Sequence, residues 1–199
     1  MVIVLTGQSS FNKTIILSNT AYDIALTLRD AESYGLGSRA TTVTANAGYG
    51  IHFQNASPGR FTFFADSFPT PNASNCHGLP VGGSGAPNAQ YGDCIYESGQ
   101  DQKVMDYALG NGITISNFCA LISGTWSCEN PSGPYGGGLM SLDIVFARPN
   151  PNAFINVSNS SGSFSATAAC IALTSPQGGM RFVSVAASGE ITANAASCP

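Results

Sequence analysis

The chain has 199 residues, enough for one domain with its own core, and only 9% of them are charged, against about 25% in an ordinary globular domain. Seven Lys and Arg against eleven Asp and Glu leave a net charge of −4, which argues against nonspecific attraction to nucleic acid, because phosphate binding needs clustered cations. A hydrophobic content of 43% excludes a disordered chain, and low charge with many small polar residues suits a secreted or surface-exposed β-rich protein.

In chain order, "MVIVLTG" (1–7) is too short for a complete signal peptide, and no run approaches the ~20 apolar residues of a membrane-spanning helix. The apolar start runs straight into a helical pattern and is expected to be the end of a longer hydrophobic segment. From residue 17, "LSNTAYDIALTLRDAESYGLGSR" places Leu17, Ala21, Ile24, Leu28 and Ala31 at three- and four-residue steps. That spacing is the stripe of an amphipathic helix with one face to bury, widened by Ala25 and Tyr34. Ser9 or Ser10 is expected to cap its start, and Gly35 and Gly37 to stop it.

Beyond residue 48 the pattern changes to short apolar and β-branched runs: "YGIHF" (49–53), "RFTFFAD" (60–66), "KVMDYAL" (103–109) and "ITISNFC" (113–119). "LMSLDIVFAR" (139–148) and "AFINVS" (153–158) flank the turn-forming "PNPN" and are predicted to form an antiparallel hairpin. A second hairpin is expected from "ATAACIALT" (166–174) and "MRFVSVAASGEIT" (180–192) across "SPQGG", with a further turn at "SG" (188–189). Residues 67–99 form a Pro-, Gly-, Asn- and Ser-rich insertion too long for an ordinary connection. With no internal repeat and no second boundary, one domain over 1–199 is expected, a helix to residue 38 and an antiparallel β region from 48 onward.

All six cysteines follow residue 75. Their even number and loop-like surroundings favour disulfides and an oxidising compartment. Fifteen pairings are open to six cysteines; adjacency along the chain favours Cys76 with Cys94, Cys119 with Cys128, and Cys170 with Cys198. Each bridge would stabilise by roughly 2–4 kcal/mol.

For chemistry the chain offers His52, in a strand, and His77, beside Cys76. No G-x-S-x-G elbow, phosphate loop, H-E-x-x-H helix or dinucleotide fingerprint is present, so no catalytic residue, cofactor or metal ligand is expected. Asp93, Glu97, Asp101 and Asp106 crowd "DCIYESGQDQKVMD" with oxygens of the kind calcium takes, but their spacing fits no calcium loop. Asn12, Asn55, Asn72, Asn156 and Asn159 head N-x-S/T sequons, several of which chance supplies in a chain rich in Asn and Ser. Phe61, Phe63, Phe64, Phe146, Phe154, Phe164 and Phe182 suggest a carbohydrate platform, yet most alternate with polar residues and belong in the core. Trp126, inside the 119–128 loop, is the aromatic whose exposure is worth testing.

An amphipathic N-terminal helix behind an apolar stub, followed by antiparallel strands and disulfides, resembles the type IV pilin and type II secretion pseudopilin family. The "A-x-D-I-A-L-x-L-R-x-A" helix core, the "YG" exit, "YGIHF", "FTFFAD", the "SLDIVFARPNPNAFI" hairpin and the closing "RFVSVAASGEI" are similar to segments of minor pilins and pseudopilins, in family order. The family's start, a Gly before the cleavage site and then about twenty apolar residues with a Glu at the fifth, is absent, and residues 1–5 read as the end of that membrane half. The Asp-rich turn that some relatives carry after "FAD" is here "FADSFPTPNASNC".

The resemblance implies an α+β fold, a long amphipathic helix packed on an antiparallel sheet with disulfide-stapled loops, the docking stripe being Leu17, Ala21, Ile24, Leu28 and Ala31. It implies a non-enzymatic structural subunit, major or minor, of an extracellular pilus-like filament or secretion pseudopilus, serving adhesion, motility, uptake or secretion. Its partners would be other pilin subunits through the N-terminal helix, and the inner membrane before assembly; a surface ligand would meet loops 67–99 and 119–130. Two rival readings make separate demands. A DNA-capturing minor pilin needs a positive patch from some of Arg39, Arg60, Lys103, Arg148 and Arg181, and a secreted hydrolase needs His52 or His77 within reach of both a hydroxyl and a carboxylate.

Overall fold

A computed structural model describes residues 3–37, 39, 41, 47–68 and 91–198, with the side chains of the first helix from Thr14 onward. Among them one helix, α1 (Ile3–Leu36), precedes eleven strands: β1 (Gly48–Gln54), β2 (Arg60–Asp66), β3 (Gln102–Ala108), β4 (Thr114–Ile122), β5 (Thr125–Cys128), β6 (Ser141–Phe146), β7 (Ala153–Asn159), β8 (Gly162–Ala166), β9 (Ala168–Thr174), β10 (Met180–Ala186) and β11 (Ile191–Ala195). The helix begins at Ile3, so Ser9 and Ser10 lie inside it and neither caps it.

The predicted α+β arrangement, a long helix packed on an antiparallel sheet, is overturned. The protein is mostly β, and its strands form two antiparallel sheets, one of six in the order β3-β2-β1-β6-β7-β8 and one of five in the order β11-β10-β9-β4-β5. Both predicted hairpins form, β6 with β7 and β9 with β10, and the turn at Ser188 and Gly189 folds β11 back on β10. What divides the sheets is the link between β3 and β4. Gly110, Asn111 and Gly112 all take positive φ, 66°, 50° and 70°, a left-handed run that only Gly and Asn adopt cheaply. It turns the chain away from β3, so that β3 stays beside β2 while β4 pairs with β9.

One apolar cluster joins the helix to both sheets. Leu17, Ala21, Ile24, Leu28 and Ala31 are buried against Ile51, Phe53, Phe63, Leu142, Ile144 and Phe146 of the larger sheet and Phe118, Ile171, Leu173, Val183 and Val185 of the smaller. The helix contacts β1 and β6 of one sheet and β9, β10 and β11 of the other. Its buried stripe is thus shared between the two sheets, while its other face stays on the surface. The last helical turn lies so close to β6 that a Cβ at Gly35 would collide with the Phe146 carbonyl.

Strand alternation gives the six-stranded sheet two different faces. Tyr49, Ile51, Phe53, Phe61, Phe63, Leu142, Ile144, Phe146, Ile155 and Val157 face the main cluster. Their neighbours His52, Phe64, Asp66, Asp143, Val145 and Asn156 are also buried, on the opposite face. There Phe64, Val145 and Cys94 form a second, smaller cluster flanked by Tyr96 and Phe154, so segment 91–101, which takes in the described end of the predicted 67–99 insertion, covers that face.

Candidate functional site

The helix presents two apolar stripes. Opposite the buried one, Ile15, Tyr22 and Leu26 recur at seven- and four-residue steps and remain exposed, Tyr22 at 53% and Leu26 at 62%. Beside them a groove of about 360 Å³ runs between α1 and the β2–β3 edge, lined by Leu26, Phe61, Tyr107 and Leu109 together with Thr20, Asp23, Thr27 and Asp30. The helix is fixed in rotation by polar ties at its middle and toward its C-terminal end. Arg181 Nε donates to Ser18 Oγ at 3.0 Å, and Arg29, ion-paired with Glu32 at 2.8 Å, reaches the Gly189 carbonyl at 3.4 Å. Tyr34 packs against Tyr49 and Phe63, and the Arg39 guanidinium sits 4.1 Å over its ring. Among the described residues no helix is long and apolar enough to cross a membrane.

On the outer face of the larger sheet, buried carboxylates accept backbone N–H groups from the covering segment. Asp66 takes Cys94 N–H at 2.8 Å and Asp93 N–H at 3.3 Å. Asp101 takes Ser67 N–H at 2.9 Å and Phe68 N–H at 3.0 Å on one oxygen and Glu97 N–H at 2.9 Å on the other. Asp143 takes Tyr96 N–H at 3.3 Å and lies 2.7 Å from His52 Nδ1. Asn156 closes the set, donating to the Cys94 carbonyl at 3.2 Å and accepting from Ser165 Oγ at 2.9 Å. A Cβ at Gly92, whose φ is +93°, would strike the Asp66 carboxyl, so the segment can lie this close only with Gly there.

These groups titrate away from their ordinary values. Burial is the main cause that pushes Asp66 well up, with the Asp101 charge adding to it and the Cys94 and Asp93 N–H bonds opposing it. Burial likewise raises Asp93 and Asp101. Glu97 is raised to about 8 by burial and by the charges of Asp93 and Asp101, so its carboxyl is a neutral proton donor at pH 7. For His52 burial is the largest influence and lowers the pKa, but the Asp143 hydrogen bond and charge, with Gln54, outweigh it and the net shift is upward. Gln54 Nε2 donates to Ser57 Oγ at 3.1 Å, which turns the amide oxygen toward His52 Nε2 at 3.2 Å. Both ring nitrogens thus face acceptor oxygens, an arrangement that favours the protonated ring.

The residues singled out by sequence fall as follows. Cys119 and Cys128 face each other across β4 and β5 and are bridged, as are Cys170 and Cys198; Cys119 and Cys170 are themselves register partners, so both bridges share the outer face of the smaller sheet. Cys94 is disulfide-bonded, while Cys76, its predicted partner, lies outside the described residues, as do His77, Asn72 and the side chain of Asn12. Asp93, Glu97 and Asp101 come together as expected of neighbours, but Asp106 stands apart, paired with Lys103 at 2.7 Å and Thr62 at 2.8 Å. Among the described residues no group of three or more His, Cys, Asp and Glu is placed to hold a metal ion, and the lone pairs of Asp66 and Asp101 are directed at backbone N–H. Asn156 is buried with both ends of its amide engaged, which removes it as a glycosylation acceptor.

The hydrolase geometry is not assembled at His52, whose hydrogen-bond partners are a carboxylate and an amide, with no hydroxyl. Of the five cations, Arg60 and Lys103 share one small pocket with His52, whereas Arg39 sits over Tyr34 near the C-terminal end of α1 and Arg181 is held at Ser18 in its middle. The sequence reading missed Asp66 and Asp143. Their signal was available: each is a lone carboxylate inside an apolar strand run, "RFTFFAD" and "SLDIVF", where burial on both faces needs a partner for every charge. Comparison with known proteins gives no match: no protein-family model, no curated protein and no solved structure matches this chain.

Proposed function

We propose that this protein is a structural subunit of an extracellular type IV pilus-like filament, related to the pilins and pseudopilins its sequence resembles. The observation that carries the reading is the doubled helix. One stripe anchors α1 inside its own domain, and a second, Ile15, Tyr22 and Leu26, is left on the surface beside a groove of mixed polar and apolar lining. An exposed apolar stripe on a rigid element is a surface built for contact, and a stripe with a groove next to it suits head-to-tail packing of copies, the heterologous contact from which open helical assemblies grow. The disulfides Cys119–Cys128 and Cys170–Cys198 fit life outside the reducing cytoplasm. The role is mechanical, with assembly in place of catalysis, on the cell surface after a membrane-held stage.

The test is incorporation. In cells producing the full gene product, sheared surface filaments are examined by immunoelectron microscopy and blotting. Tyr22→Asp with Leu26→Asp is expected to abolish incorporation while the isolated domain keeps its circular dichroism and melting temperature. Absence of the wild-type protein from the filament fraction, or normal incorporation of the double variant, would overturn the reading.

A further inference from the structure

Where the edges of the two sheets meet, β5 on one side and β8 on the other, lies a cleft of about 430 Å³. That is within the range of small-ligand sites. Three aromatic side chains line it: Trp126 from β5, Tyr135 from loop 129–138, and Phe164 from β8. Tyr135 is 41% and Phe164 38% exposed, and Trp126 is half-buried. Between the rings stand Thr125, Ser127 and Asn159, and no Asp, Glu, Lys, Arg or His lines the cleft.

The geometry points to a binding site for a neutral saccharide of one or two rings. A pyranose has a C–H face that lies against the electron-rich face of an aromatic ring, and a rim of hydroxyls that needs uncharged donors and acceptors. This cleft supplies both and nothing for a charged ligand. The Trp126 indole N–H and the Thr125 and Ser127 hydroxyls have no hydrogen-bond partner among the described residues, and Asn159, which accepts from Ser161 N–H at 2.7 Å, keeps its amide donor uncommitted. The pocket at His52 makes the contrast, since it is lined by Arg60, Lys103 and Asp106 and suits an ionic group.

The walls are held in place before any ligand arrives. The Cys119–Cys128 bridge fixes the β4–β5 hairpin. Loop 129–138 is stitched to the end of β5 by Cys128 N–H to the Tyr135 carbonyl at 2.7 Å and Gly137 N–H to the Cys128 carbonyl at 3.0 Å. A Cβ at Gly137 would collide with Ser127 Oγ, so loop and strand are in direct contact. β8 is tied to the hairpin through Thr167 N–H, at its end, donating to the Leu121 carbonyl at 2.9 Å. A site ordered in advance loses less entropy on binding. No residue of α1 contributes, so the inference stands apart from the filament reading and a free domain would bind equally well.

Trp126 is the chain's single tryptophan, so its fluorescence reports on the cleft alone. The isolated protein is titrated with methyl glycosides of neutral hexoses and N-acetylhexosamines, their disaccharides, and uronic acids as a charged control. A saturable change is expected with at least one neutral sugar at about millimolar concentration, the range of a small uncharged ligand, unchanged between low and high salt. Phe164→Ala and Tyr135→Ala, both exposed and expected to fold, should weaken it about tenfold or more, as loss of an aromatic anchor does; saturation-transfer NMR on the same sugars gives an independent reading. Failure of every neutral sugar to saturate, a response confined to uronic acids, full binding in both variants, or occupation of the cleft by a proline-rich peptide or a second copy in their place would overturn it.

Discussion

On one face of the six-stranded sheet, Ile51, Phe53, Phe63, Ile144 and Phe146 meet the helix and the second sheet through hydrocarbon alone; on the other, one residue along, His52, Asp66, Asp143 and Asn156 meet segment 91–101 through hydrogen bonds. The first surface is non-directional and tolerates any partner of the right shape. The second fixes a register, since Asp66, Asp101 and Asp143 each accept backbone N–H groups of particular residues. An irregular segment that buries only Cys94 and Tyr96 in a small apolar cluster is thus held largely by acceptors for its backbone, at the expense of desolvating several carboxylates. The two faces should respond differently to mutation and to pH.

The largest separation is expected from Asp143→Ala. It leaves His52 Nδ1, which is buried, and the half-buried Tyr96 N–H without their acceptor, and breaking a buried ion pair by removing one partner costs about 3–5 kcal/mol. Asp143→Asn, which keeps an acceptor oxygen, should cost less. Urea unfolding would check both, and a cost for the alanine variant below about 1 kcal/mol would mean the outer face does not depend on its carboxylates. On the opposite face Leu28→Ala should cost about 2–5 kcal/mol by opening a cavity. That loss should be the same at pH 5 and pH 9, because no titratable group is involved.

The same contrast explains how much could be read from sequence. The helix stripe and the two hairpins were legible because they are local patterns, 3.6-residue spacing in one case and Pro–Asn or Gly–Gly turns between alternating runs in the other. Adjacency also paired Cys119 with Cys128 and Cys170 with Cys198, because each pair closes a short stretch already folded back on itself. The division into two sheets was not legible. It rests on the choice of β9 over β3 as the neighbour of β4, a long-range pairing signalled only by the left-handed "GNG" turn. The buried carboxylates left only a faint mark, one Asp in each apolar strand run, that does not name its partner: an Asp in a strand ordinarily faces water, and it is segment 91–101 that buries Asp66 and Asp143. Short β5 and β8, which line the aromatic cleft, carry too few residues for alternation to show.

Replacing Cys170 and Cys198 by Ser removes a bridge closing 28 residues and should cost roughly 2–4 kcal/mol. This lies between the faces in character. The bridge restrains the unfolded chain, so the loss should be nearly independent of pH, and it should vanish when both proteins are compared under reducing conditions.

The pH dependence of stability is the most diagnostic of the carboxylate face. Glu97 titrates at about 8 in the folded protein against an ordinary 4.5, so folding takes up a proton there. The contribution is fully present below the unfolded value and is lost as pH rises through the folded one. His52, raised above 6.5 by its Asp143 partner despite the lowering effect of burial, gives the same sign, present below 6.5 and lost as pH climbs past its folded value. The protein should therefore melt at a lower temperature at pH 9 than at pH 5.5. Glu97→Gln keeps a neutral donor at every pH, so it should flatten that slope, raising the melting temperature at pH 9 and leaving it nearly unchanged at pH 5.5. Amide exchange should place the loosening at Tyr96, Glu97 and Asp101, with Ile51 and Ile144 protected throughout. A slope unaltered by Glu97→Gln, or exchange that rises equally on both faces, would remove the distinction between them.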